Sequence, residues 1–352
     1  SLSVCAHRSP TTHTTMKPIE FTPMTDDLSE ELRVSCKPGL MPMAAITVSP
    51  SGCAMPEEYE LYAERLHNFE VYEDDVWVIS YPKCGTTWTQ EMVWLIGNNC
   101  DFDAASDKLL LQRFPFLEAV SIIPQPQMDE RAQFLDEHVL FADTIDFVEE
   151  QPSPRFIKSH LPVALLPKQI WTKKPKIIYV TRNPMDAAIS YYHHHRLWNG
   201  YVGSYETFME GFLQDKLVYS PFWEHVLEYK NMENQEHVLI TSFEEMKADL
   251  KGVILRTADF MGKKLSDEQV EELMFHLSFA NMKNNPAING EDFIKEVKEK
   301  HDMPEDDPEL TFIRKGQVGG WKKEMPHHFV EKFKLWTKEK LRGSTYTEDD
   351  FY

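Results

Sequence analysis

The 352-residue chain is 42% apolar and 27% charged, enough to bury a sizeable core in one large α/β domain or in about two domains of ~150 residues. Asp and Glu number 57 against 37 Lys and Arg, a formal net charge of −20. That excludes nucleic-acid binding by bulk positive charge, so any bound anion must be held by local cations.

Residues 1–56 are rich in Ser, Thr and Pro and are expected to form a disordered extension ahead of one domain at 57–345. The charge-free stretch 38–56 carries Pro38, Pro42, Pro50 and Pro56, which excludes a membrane helix, and residues 1–20 lack the apolar core of a secretory signal. Cys5, Cys36, Cys53, Cys84 and Cys100 are odd in number and form no C-x-x-C pair. They argue against a disulfide framework or structural zinc and fit a reducing, cytoplasmic setting.

From Glu57 onward short apolar runs alternate with amphipathic stretches, which predicts a central parallel β-sheet flanked by helices. VWVISYP at 76–82 reads as a buried strand, followed by a helix at 86–97 with Trp88, Met92, Leu95 and Ile96 on one face. Strands are predicted at 155–160, 176–181 and 237–243, and Pro184 suits the first turn of the helix after the second of these. Further helices are expected near 245–262, 266–277 and 327–341, with a long loop or lid over 284–310.

Four segments carry the chemistry. At 81–88, YPKCGTTW, Gly85 permits close backbone approach, the helix start offers unpaired N–H groups, Thr86 and Thr87 add hydroxyls, and Lys83 adds a cation. This is a P-loop-like phosphate cradle, although an ordinary helix cap also fits the segment alone. Arg182 at a strand end and Ser190 two turns on suit a second anionic group. A kinase or nucleotidase would want a magnesium-binding carboxylate at that strand end.

Arg314, Lys315 and Gly316 combine a fork, a point charge and a backbone donor, a set that suits a phosphate monoester or, read singly, a solvated turn. In KSHLP, Lys158 and His160 project to one face of an extended segment, and His160 is either a general base or a structural histidine. The run His193, His194, His195 diverges by about 100° per residue on a helix and is not expected to share a metal.

These segments, with RFPFLE at 113–118, SYYHHH at 190–195 and SFANMKNNP at 278–286, resemble the cytosolic sulfotransferases that use 3′-phosphoadenosine 5′-phosphosulfate (PAPS), and look most like the insect branch. The resemblance runs from about residue 62 to 341. It implies a single-domain enzyme that transfers a sulfonate group to a hydroxyl of a small hydrophobic phenol, steroid or alcohol without a metal. Lys83, Cys84, Gly85, Thr86 and Thr87 would hold the 5′-phosphosulfate, and Trp88, Phe243 and Phe279 the adenine. Arg182, Ser190, Arg314, Lys315 and Gly316 would hold the 3′-phosphate, with His160 as the base, Lys158 beside it and Lys83 at the leaving oxygen.

Phe116 and Tyr191 are the foremost acceptor-pocket candidates, with Phe114, Tyr192 and Trp198 behind them. Cys84, Phe243, Leu277 and Gly320 stand where the family usually has serine, tyrosine, threonine and aspartate, so fewer nucleotide hydrogen bonds are expected. The family's usual dimer segment is matched only at Lys322 and Glu331. The alternatives are a PAPS-binding protein without turnover and a P-loop-type small-molecule kinase.

Overall fold

In a computed structural model that describes residues 18–123 and 143–351, the chain enters through a small antiparallel sheet of β1 (Glu20–Pro23), β2 (Ile46–Ser49) and β3 (Cys53–Met55). Ile46 pairs with Met55 and Val48 with Cys53, and all four side chains are buried. Between β1 and β2 lies the helix Asp27–Val34, capped by the Asp26 carboxylate on the N–H of Ser29. Its Leu32 is buried so close to Gly211 that a Cβ there would come within 2.8 Å.

Residues 20–56 are therefore part of the folded domain, which corrects the expectation of a disordered extension; the expectation for residues 1–17 lies outside the described residues. The physical reason is tertiary. Strands this short gain little by themselves, but Met43, Ile46, Val48 and Met55 join the main apolar core, and each buried side chain of this kind contributes about 1.5–3 kcal/mol.

Four parallel strands make the central sheet: β4 (Val76–Ile79), β5 (Phe156–Ser159), β6 (Lys176–Thr181) and β7 (Val238–Ser242), in the order β5-β4-β6-β7. Residue alternation sends Trp77, Ile79, Ile157, Ile177 and Tyr179 into the core on one face and Val76, Val78, Phe156, Ile178 and Val180 into that on the other. Both faces are covered, which is why the strands read as continuous apolar runs. Because the chain passes from β4 outward to β5 and back across to β6, the strand order reverses at β4, and a crevice opens at the carboxyl ends of β4 and β6.

The helices Thr86–Gly97 and Pro184–Trp198 follow β4 and β6 as expected, and Asp267–His276 and His327–Lys340 match the predicted spans. The span 245–262 is two helices, Phe243–Ala248 and Leu250–Phe260, divided at Asp249, which ends one and caps the other through the N–H of Gly252. The expected loop over 284–310 is largely helical at its start, with Pro286–Asn289 and Glu291–Lys300 joined at Gly290 (φ +62°). Pro286 sits at a helix first turn, where its missing N–H costs nothing, and Ile294 and Val297 pack with Leu40, Leu197, Met303 and Leu310 into a third small core.

Beneath the sheet's entry edge Arg155 and Asp75 form a fully buried pair, with Nε and a terminal nitrogen of the guanidinium on the two carboxylate oxygens at 2.8 and 2.7 Å. The guanidinium also lies 3.9 Å from the Tyr72 ring centroid. Asp75→Ala strands this cation in the core, and urea denaturation is expected to show a loss of about 3–5 kcal/mol.

Candidate active site

The crevice at the strand ends is a cavity of about 400 Å³ whose wall includes every predicted site residue except Cys84 and two of the acceptor-pocket candidates, Phe114 and Tyr192. At the β4 junction Lys83 and Gly85 both adopt positive φ, 67° and 107°. A Cβ on Gly85 would lie 3.0 Å from the Phe243 ring, so the turn demands glycine for both conformation and space. Cys84, lying between them, turns inward: its thiol is fully buried over the Pro82 carbonyl and burial raises its pKa, so only its backbone is available to a ligand.

At the β6 junction Asn183 caps the following helix through the N–H groups of Met185 and Asp186. Arg182 donates to the carbonyls of Lys83 and Gln317, both at 3.0 Å, and so staples the first and third segments together. Its Nε is buried without a partner among the described residues. Asp186 completes the tie, accepting from the N–H of Gly319 at 2.7 Å and of Trp321 at 2.9 Å. Gly316 is again left-handed (φ +56°), and a Cβ there would meet the Phe279 ring at 2.5 Å.

Phe243, in the place of the expected tyrosine, stacks edge-on with Trp88 at 5.5 Å and lies under the Arg182 guanidinium. Leu277 is buried and contributes its carbonyl to the Trp88 indole N–H at 2.9 Å. At Gly320 a Cβ would stand 3.5 Å from carboxylate oxygens of both Asp186 and Glu324. An aspartate there would add a third carboxylate to that cluster.

The fourth segment is positioned by β5 and by RFPFLE beside it, which runs parallel through a Phe116–Lys158 bridge. Lys158 Nζ rests 4.1 Å over the Phe116 ring. His160 donates from Nδ1 to the Ser80 carbonyl at 2.7 Å, since a carbonyl can only accept, which leaves Nε2 as the unprotonated nitrogen. Its backbone N–H is held by Glu118 Oε1 at 2.6 Å.

Burial and the neighbouring Lys158 charge keep the His160 pKa well below its usual value, so the ring is neutral. Burial, with Lys158, Arg182 and Arg314 nearby, pulls Lys83 down to about 7. Burial also brings Lys158 down to about 8 against the opposing pull of Glu118, and pushes Glu118 up to about 7. Lys83, Lys158 and Arg182 thus cluster without a carboxylate in ion-pair contact among the described residues, beside a neutral imidazole.

Among the acceptor candidates, Phe116, Tyr191 and Trp198 line the cavity. Phe114 does not, being fully buried against Phe156, and Tyr192 packs away on Tyr205 and Phe208. The three histidines point apart: His193 toward Glu309, His194 to Lys83 Nζ at 3.4 Å, and His195 to the Tyr191 carbonyl.

Several residues at the site were not legible beforehand. Glu118, behind the wall on the His160 backbone, was visible in RFPFLE without a role, Tyr219 packs edge-on against His160, and Leu40, Met41 and Pro42 of the wall come from the stretch expected to be disordered. The latter are fastened by the Asn199 amide on the carbonyls of Met41 and Pro42.

Residues 73–345 match the family model described as the sulfotransferase domain. The chain is 42% identical over 294 residues to luciferin sulfotransferase of Photinus pyralis, covering 83% of this chain and 78% of that one. It is 33% identical over 292 residues to sulfotransferase 1E1 of Bos taurus, covering 82% and 91%. Among solved structures, retinol dehydratase in complex with androsterone and the inactive cofactor PAP superimposes with a TM-score of 0.83 at 30% identity, covering 95% of this chain and 99% of that one. With the fold, the cation-lined crevice and these likenesses together, the chain belongs to the sulfotransferase family.

Proposed function

We propose that this sulfotransferase moves the sulfonate group of PAPS onto the hydroxyl of a small hydrophobic acceptor, with His160 as the base. The observation that carries this reading is the His160 ring: neutral, its proton held on Nδ1 by Ser80, its Nε2 unprotonated, and set in the wall of a cavity full of cations.

The residues present fit the nucleotide. Gly85 and Gly316 remove side chains where a ligand's phosphates need backbone approach, and the orphaned Nε of Arg182 and the depressed pKa of Lys83 both call for an anion. Lys83, Gly85, Thr86 and Thr87, with the backbone of Cys84, would hold the 5′ end. Arg182, Ser190, Arg314, Lys315 and Gly316 would hold the 3′-phosphate, and Trp88, Phe243 and Phe279 would enclose the base. PAPS supplies an activated sulfonate on a phosphate leaving group.

The chain's own part is electrostatic and acid–base. Nε2 of His160 takes the acceptor's hydroxyl proton, and the Ser80 bond keeps the ring in the tautomer that can do so. Lys83 and the helix N-terminus oppose the negative charge that develops on the departing oxygen, with Lys158 beside the attacking one. Phe116, Ile123, Trp198, Val218 and Phe293 give the rest of the cavity an apolar wall, which favours a flat or elongated hydrophobic alcohol or phenol. Retinol dehydratase, the structural neighbour, is recorded with androsterone and with retinol, ligands of that kind.

Cys36, Cys53, Cys84 and Cys100 are all free thiols, and among the described residues no helix is long and apolar enough to cross a membrane. The free thiols support a cytoplasmic setting.

Transfer of ³⁵S from labelled PAPS to a panel of phenols and alcohols in EDTA is expected for the wild type, with His160→Ala slower by about 10²–10⁴. Equal rates in the two proteins rule out His160 as the base. A second expectation concerns protons. Lys83, near 7 in the free protein, regains its proton when an anion binds, so binding favours the protonated lysine. Calorimetry of adenosine 3′,5′-bisphosphate in buffers of different ionisation enthalpy should show uptake of about one proton at pH 8 and almost none at pH 6, with affinity falling as pH rises above 7. Proton release at pH 8 contradicts the reading.

A further inference from the structure

Arg314 and Lys315, the cations assigned above to the 3′-phosphate, are engaged within the chain itself. Arg314 lies 2.7 Å from Glu309 Oε2 and 2.9 Å from Glu324 Oε2. Lys315 Nζ lies 3.0 Å from Glu309 Oε1 and 3.2 Å from Glu324 Oε2. Each carboxylate therefore bridges both cations, Glu309 with one oxygen for each and Glu324 with one oxygen shared.

His193 adds a third partner to Glu309. Arg196 donates to its Nδ1 at 3.4 Å, which leaves Nε2 to carry the proton, 3.4 Å from Glu309 Oε2. Glu309, Glu324 and His193 also come within the spacing of a metal site, but both carboxylates already carry the two cations.

The arrangement is held rather than fortuitous. Glu324 ends the short helix Trp321–Glu324, and Asp186 anchors the start of that helix through the N–H groups of Gly319 and Trp321. Glu309 is fixed on the other side by its own N–H, which donates to Asp307, while Asp307 pairs with Arg196 at 2.7 Å. The side chains of Arg314, Glu309 and Glu324 are 13%, 29% and 24% exposed, so solvent screens these pairs only in part.

A phosphate monoester offers what these carboxylates offer: negative oxygens spaced for a guanidinium fork and an ammonium. Two such anions cannot hold the same two cations at full strength. We propose that Glu309 and Glu324 set the nucleotide affinity: they occupy Arg314 and Lys315 in the nucleotide-free enzyme and yield them to the 3′-phosphate, so that they weaken binding of nucleotides bearing that phosphate and hasten departure of the bisphosphate product. This rests on the reading of Arg314 and Lys315 as the 3′-phosphate site.

The test is calorimetric titration of two nucleotides, adenosine 3′,5′-bisphosphate and adenosine 5′-monophosphate, into the wild type, Glu309→Gln, Glu324→Gln and Arg314→Ala. Each Gln variant is expected to bind the bisphosphate roughly three- to tenfold more tightly, the range of one partly sheltered charge pair. The monophosphate should bind with unchanged affinity, since it lacks the group the carboxylates compete with; a merely structural role would move both nucleotides together. Glu324→Ser, which also removes the amide that Gln leaves beside the two cations, must act in the same direction as Glu324→Gln.

In steady state the KM for PAPS should fall while kcat stays level or drops. Unchanged or weaker bisphosphate binding in the Gln variants overturns the proposal, because the carboxylates would then be organising the cations for the nucleotide. If instead Arg314→Ala leaves bisphosphate binding intact, it is the placement of the 3′-phosphate that fails.

Discussion

The concentration of positive charge in one sheltered crevice is the constraint on which the rest of this molecule turns. Lys83, Lys158 and Arg182 sit together in a protein whose net charge is −20. Bringing like charges out of water is costly, and the fold meets that cost with partners that hold cations without fully neutralising them. Arg182 binds two backbone carbonyls and lies over an aromatic face, Lys158 rests on Phe116, and Lys83 lies between His194 and the Phe312 ring. Carbonyl dipoles and ring quadrupoles lower the energy of a cation yet leave its charge available to a ligand.

The same charge acts on the proposed base. Burial and the neighbouring cations keep the His160 imidazole neutral, so the field that suits an anionic donor also leaves Nε2 unprotonated, as a base would need. Parallel topology makes the combination possible. Ser80 follows β4 and His160 follows β5, and because these strands are neighbours in register the end of one supplies the carbonyl that orients the ring at the end of the other. Glu118, carried alongside β5, fixes the backbone from the opposite side.

Much of this was legible in the amino-acid order, because strands buried on both faces leave runs such as VWVI and KIIYVT, and because phosphate-type loops require glycine beside cations. Lys83, Arg182, Arg314 and His160 could be picked out on that basis, and all four line one cavity. What was hidden depends on partners distant in the chain. Asp186 looks like an ordinary acid in a helix's first turn, and its bonds to N–H groups 133 and 135 residues away leave no local trace. Short strands interrupted by proline read as loose chain until the core that covers Ile46 and Val48 is seen. The inward turn of the Cys84 thiol and the burial of Phe114 were hidden for a related reason, since spacing places a residue in a turn or helix but does not say which way its side chain faces.

The N-terminal sheet alters how the boundaries of this protein are to be drawn. The family model matches residues 73–345, yet the wall of the cavity includes Leu40, Met41 and Pro42, tied to Asn199 and followed by strands whose side chains belong to the main core. The segment the family model describes and the unit that folds are therefore different lengths of chain. A fragment cut to residues 73–345 would keep the cations of the crevice and lose the part of the wall that Leu40, Met41 and Pro42 supply, so that one portion of this cavity is built by chain outside the segment the family model describes.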